Sequence, residues 1–131
     1  MCSIIGYRGK NSAAPILVNG LQRMEYRGYD SVGIATKSKN QILLRKGVGK
    51  LVEVNNTKQL DGLPGNIGIG HTRWATHGKV TEINAHPHSS NSGKIAIVHN
   101  GIIENFEELK SNLQNRALIF IVKLTQKLLL I

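Results

Sequence analysis

Met1-Cys2-Ser3-Ile4-Ile5-Gly6-Tyr7 opens the chain, and the fold turns on how this stretch is read. Residues 2–7 are short, β-branched and closed by Arg8-Gly9, which predicts a buried strand. Cys2 is the single cysteine of the chain. A side chain as small as cysteine permits removal of the initiator methionine, leaving a thiol and a free α-amine on one residue. An α-amine titrates near pH ~7.7–8, so it can act as general base for its own side chain. That is the N-terminal-nucleophile arrangement, a one-residue substitute for a Cys-His pair. The plain alternative is a small apolar residue at the head of a buried strand, where free cysteine is common.

Composition narrows the setting. A chain of 131 residues fits one domain with a working core, and 40% hydrophobic content with 14 glycines suits a globular protein of mixed α and β structure. One cysteine excludes an intrachain disulfide and fits a reducing compartment. Residues 1–10 lack the sustained apolar core of a signal peptide, so a cytoplasmic location is expected. The formal net charge of +9 raises a polyanion partner. Its basic residues are scattered, however, as at Lys37, Lys39, Arg45, Lys46, Lys50 and Lys58, without interleaved aromatics. Neither nucleic acid nor a membrane is an expected partner.

Along the chain, Ser12 to Met24 predicts a helix capped by Asn11 or Ser12, with Pro15 in its first turn and Ile16, Leu17, Leu21 and Met24 on one face. Glu25-Tyr26-Arg27-Gly28-Tyr29-Asp30-Ser31 is a glycine-broken polar loop. Strands follow at about 31–37 and 41–47, with a turn through Ser38-Lys39-Asn40. Residues 50–60 suggest a short helix. Leu63-Pro64-Gly65-Asn66 is a turn leading into a strand from Ile67 to Arg73. Ala75 to Gly93 predicts a long ordered loop. Lys94 to His99 predicts a strand buried on both faces. Asn105 and Glu108 form a capping-box-like start to a helix with Phe106, Leu109 and Leu113 on one face.

Three clusters join Cys2 as candidate chemistry. Gly70-His71-Thr72-Arg73-Trp74-Ala75-Thr76-His77-Gly78 runs off a strand end, and the planar fork of Arg73 suits a carboxylate. A surface ion pair is the plain alternative for that arginine. Asn84-Ala85-His86-Pro87-His88 is the second cluster, and Val98-His99-Asn100-Gly101 the third. A side-chain amide beside a backbone N–H, as in Asn100-Gly101, makes a two-donor oxyanion hole; Asn-Gly is equally a hairpin-turn signal. Five histidines, His71, His77, His86, His88 and His99, raise a metal site, but none lies in an H-E-x-x-H pattern and the cysteines of a structural zinc site are missing. No metal and no cofactor are expected.

These motifs, in this order, resemble the glutaminase domain, a class II glutamine amidotransferase, of glutamine–fructose-6-phosphate aminotransferase (isomerizing). The resemblance covers roughly residues 1–115 and is carried by Cys2–Tyr7, Glu25–Ser31, Gly70–Gly78, Asn84–His88 and Val98–Asn105. It implies an α+β N-terminal-nucleophile hydrolase fold, a four-layer αββα sandwich of largely antiparallel sheets, incomplete in this chain. It implies that Cys2 attacks the side-chain amide of glutamine after Met1 is removed, with Asn100 and Gly101 holding the oxyanion. Arg73, Thr76 and His77 would bind the substrate's α-carboxylate and Gly101 its α-amino end. Trp74 matches a residue that gates ammonia passage, and His86 lies near the site. The ammonia would serve glucosamine 6-phosphate synthesis from fructose 6-phosphate. The full-length family adds an isomerase domain and a homodimer. The family usually has glycine where this chain has Ser3.

Residues 116–131 depart from the pattern. The family's next motif, Ser-Glu-Thr-Asp-Thr-Glu, is replaced by a tail with no acids, to which Arg116, Lys123 and Lys127 contribute three of the 17 basic residues. Codons compatible with this tail yield that motif in a shifted frame, so a frameshift near Arg116 is the hypothesis. The sugar-isomerase half does not fit in 131 residues. The chain alone is expected to be a poor glutaminase, the alternative being a non-catalytic remnant or interaction module of the same fold.

Overall fold

The computed structural model describes residues 1–74 and 79–114. The expectations for Thr76 and His77, and for the tail from 116 onward, lie outside the described residues. Strand β1 (Ser3–Arg8) leads into helix α1 (Ala13–Met24). A 3-10 turn over Glu25–Arg27 delivers the chain to the hairpin of β2 (Ser31–Ser38) and β3 (Gln41–Val48). Helix α2 (Leu51–Lys58) then precedes β4 (Ile67–Arg73). Two short strands, β5 (His88–Ser89) and β6 (Ala96–Ile97), and helix α3 (Phe106–Gln114) follow.

The long strands form one antiparallel sheet in the order β1-β4-β2-β3, so the N-terminal strand pairs with β4 rather than with its neighbour in sequence. In register, Ser3 faces Thr72 and Ile5 faces Gly70; across β2, Val32 faces Thr72 and Ile34 faces Gly70. Side chains alternate across a strand. One face therefore carries Ile5, Tyr7, Val32 and Ile34, which pack against Ala13, Ala14, Leu17, Val18 and Leu21 of α1 and against Leu51 and Val54 of α2. The buried stripe of α1 includes Ala13, Ala14 and Val18, whereas Ile16 and Met24 are only half-buried. Small residues let the helix lie close to the sheet. Ser12 makes no side-chain capping bond; the first helical N–H, on Ala13, donates instead to the Gly65 carbonyl at 2.8 Å.

The opposite face of the sheet is covered by the segment 83–88. Lys46 on β3 reaches across it, its Nζ donating to the carbonyls of Ala85 at 2.6 Å and Pro87 at 3.2 Å. The close approach depends on Gly33, where an added Cβ would run into the His86 carbonyl oxygen and the Lys46 Cβ. Both obstacles are fixed by backbone. Gly33→Ala should therefore lower the unfolding free energy by about 3 kcal/mol, read as an earlier urea midpoint; an unchanged midpoint would mean that this segment is not packed on the sheet.

One expectation fails. The run Lys94–His99 is not a strand buried on both faces: among the described residues only Ala96–Ile97 pairs, with His88–Ser89, and Ile95 is 55% exposed. An apolar run is buried only where layers flank it, and among the described residues the second sheet has just these two short strands. The Asn100-Gly101 pair is not the turn of a hairpin among the described residues; it follows β6, and Gly101 has φ +151°.

Candidate active site

Three segments distant in sequence meet at Cys2. Because β1 lies beside β4, residue 2 comes to the end of β4, where the chain leaves the sheet at Trp74. The Trp74 backbone N–H donates to Cys2 Sγ at 3.3 Å, and the thiol faces the Trp74 carbonyl at 3.5 Å. From 98 residues away, Asn100 Nδ2 donates to the Cys2 carbonyl at 3.1 Å. The oxygen of that amide, Oδ1, lies 2.8 Å from His71 Nε2. Sequence reading brings Cys2 and Asn100 forward; it leaves His71 as one metal candidate among five histidines, because nothing local shows what its ring touches. No group of three or more His, Cys, Asp or Glu side chains placed to hold a metal ion occurs among the described residues.

The start of the chain is anchored. The Met1 α-ammonium donates to the Arg27 carbonyl at 2.7 Å, and Arg27 Nη2 approaches Met1 Sδ at 3.5 Å. With Met1 in place the Cys2 nitrogen is a peptide nitrogen and has no basic lone pair. Met1 itself is 77% exposed. Ser3, where glycine is usual in the resembling family, is buried and turned to the α1 face, its Oγ 3.4 Å from the Met24 carbonyl. The extra hydroxymethyl thus sits on the helix side of β1 and leaves the Cys2 face uncrowded.

The remaining candidates flank this centre. Arg73 is buried, and its Nη1 donates to the Lys79 carbonyl at 3.3 Å. Trp74 is 42% exposed and meets Tyr29 edge to face, ring centroids 5.5 Å apart. His86 stacks on His71 with centroids 4.4 Å apart and meets His88 at the same distance. Gly101 follows Asn100 directly, and an added Cβ there would press on the His99 ring at 3.0 Å.

The histidine stack is electrically constrained. Burial pushes His71 down to about 4; the bond to Asn100 opposes this, while Arg73 and His99 reinforce it. Burial pushes His86 down to about 2, with His71, His88, Lys46 and Arg73 adding repulsion. Both rings are therefore neutral near pH 7. The folded values lie below the unfolded value of 6.5, so the unfolded chain takes up protons first as pH falls. Stability is complete above that value and is lost on acidification, by the order of 2 kcal/mol at about pH 5 for His71 alone. Urea midpoints should fall between about pH 7 and pH 5; a His71 ring titrating at its ordinary value by NMR would contradict this.

No family model matches the chain. Over 120 residues it is 57% identical to a glutamine–fructose-6-phosphate aminotransferase [isomerizing] of Pyrococcus horikoshii and 50% identical to that of Clostridium acetobutylicum; each match covers 92% of this chain and 20% of the relative. The chain thus spans about a fifth of the length of the curated relatives it matches. Among solved structures it superposes on a glutamine phosphoribosylpyrophosphate amidotransferase from B. subtilis, complexed with ADP and GMP, with a TM-score of 0.84 at 30% identity, covering 98% of this chain and 28% of that one. A structure described as the allosteric regulatory enzyme of purine biosynthesis gives 0.79 at 32% identity, covering 92% and 26%.

Proposed function

Because this chain belongs, over 92% of its length, with the glutaminase part of the glutamine–fructose-6-phosphate aminotransferases and has the α+β N-terminal-nucleophile fold, we propose that Cys2, freed of Met1, attacks the side-chain amide of glutamine. The observation that carries this reading is the convergence of the Trp74 N–H on Cys2 Sγ and of Asn100 Nδ2 on the Cys2 carbonyl. The Cys2 α-amine accepts the thiol proton, and the thiolate adds to the amide carbon. Negative charge then grows on the carbonyl oxygen, where the second Nδ2 hydrogen of Asn100 and the Gly101 N–H are the donors. The α-ammonium returns its proton to the departing nitrogen, ammonia leaves, and water cleaves the thioester to glutamate.

Arg73, with Thr76 and His77, holds the glutamine α-carboxylate, and Gly101 contacts its α-amino end. Trp74 against Tyr29 gates the ammonia, and His86 supports the site through the His71 ring. The ammonia serves amination of fructose 6-phosphate to glucosamine 6-phosphate in the cytoplasm, in a homodimer with an isomerase part. Ile95 and Ile102 flank the Asn100 segment and are 55% and 58% exposed. Turnover by this chain alone is expected to be low. A single covalent event is therefore the better test: a glutamine-derived diazoketone should label Cys2 in the purified chain, and Cys2→Ala should abolish the adduct. Failure of the unsubstituted chain to label would overturn the reading.

A further inference from the structure

Resting on that glutaminase reading, we propose that His71 is a positioning residue, its Nε2–H holding the Asn100 side-chain amide in the one orientation that turns Nδ2 toward Cys2. The Cys2 carbonyl can only accept, and it lies 3.1 Å from an Asn100 side-chain atom. That atom must therefore be the nitrogen, since an oxygen there would set two acceptors against each other. The amide oxygen then faces His71 Nε2 at 2.8 Å, and for this contact to be a hydrogen bond Nε2 must carry the proton. Neutral His71 is thereby the Nε2–H tautomer. Its Nδ1 is buried and has no hydrogen-bond partner. A proton on Nδ1 would leave a buried donor unsatisfied, which agrees with the lowered proton affinity of this ring.

The ring itself cannot swing away. His71 is 1% exposed and stacks on His86, whose segment Lys46 ties to the sheet. His71 thus links the floor of the sheet to the oxyanion donor 29 residues further along. Without it the Asn100 amide is held at one end only, by the Cys2 carbonyl, and can rotate off the donor geometry. No contact between His71 and the substrate is required.

The test uses the full chain with Met1 removed, residues 2–131. Cys2 is its only cysteine, so adducts are unambiguous. Two electrophiles separate the ideas: a glutamine-derived diazoketone, which uses the carbonyl-binding donors, and iodoacetamide, which reports on the thiol alone. His71→Phe should slow diazoketone labelling at least about tenfold, short of the ~10²–10³ for losing an oxyanion donor outright. It should leave the iodoacetamide rate within about twofold, and His71→Gln, which keeps a donor, should recover most of the loss. Equal diazoketone rates in the unsubstituted and His71→Phe chains would overturn the proposal. An unsubstituted chain that takes iodoacetamide but not the diazoketone would instead overturn the glutaminase reading beneath it. Should His71→Phe not fold, long-range proton–nitrogen NMR correlations of the unsubstituted chain decide. The Nε2–H tautomer at about pH 7 supports the geometry, and the Nδ1–H tautomer contradicts it.

Discussion

Asn100→Asp should slow labelling of Cys2 by a glutamine-derived diazoketone by about 10²–10³, the usual cost of losing one oxyanion donor. The substitution keeps the volume and keeps an oxygen for His71 Nε2, whose contact with the present amide is 2.8 Å. It removes the donor that reaches the Cys2 carbonyl at 3.1 Å and sets a carboxylate in its place. That negative charge disfavours an oxyanion, and it favours a charged His71. The loss of labelling should therefore come with a rise in the His71 titration from about 4. Asn100→Ala separates the two effects: it loses the donor without adding charge, and it leaves His71 Nε2–H unsatisfied, at a cost of about 1–3 kcal/mol in stability. Diazoketone labelling of Asn100→Asp at the unsubstituted rate would remove Asn100 from the chemistry.

An N-terminal extension that cannot be removed should have an effect as large or larger. General-base assistance typically contributes 10²–10⁴ in rate. In the structure the terminal ammonium belongs to Met1 and is tied to the Arg27 carbonyl at 2.7 Å. The Cys2 nitrogen is then an amide nitrogen, and the thiol has no base of its own. Removal of Met1 moves the amine onto the residue that carries the sulfur. The extension leaves Trp74, Asn100 and the sheet register untouched, so a fall in rate would report the loss of the amine rather than of the fold.

Much of the scaffold is legible in the residues themselves. The strands β1 to β4 are short β-branched runs bounded by Gly, Pro and Asn, and their limits agree with the structure within a residue or two. Cys2, Arg73 and Asn100 attract notice by type and spacing. What escapes a local reading is whatever depends on the second layer. Ile95, Ala96, Ile97 and Val98 look doubly buried because apolar runs usually have layers on both sides; among the described residues only a two-residue strand, His88–Ser89, pairs beside them. The bonds of Lys46 to carbonyls 39 and 41 residues away leave no trace in its neighbours. The same holds for the tautomer of His71, which follows from the Cys2 carbonyl, 69 residues away in sequence.

The account stands most directly on the rate at which the diazoketone labels Cys2, followed by intact mass, in the chain with Met1 removed and in the chain with a fixed extension. It predicts one adduct on Cys2 in the first, absent from Cys2→Ala, and labelling slower by about 10²–10⁴ in the second. Equal rates in the two chains, or a processed chain that takes no adduct, would contradict it.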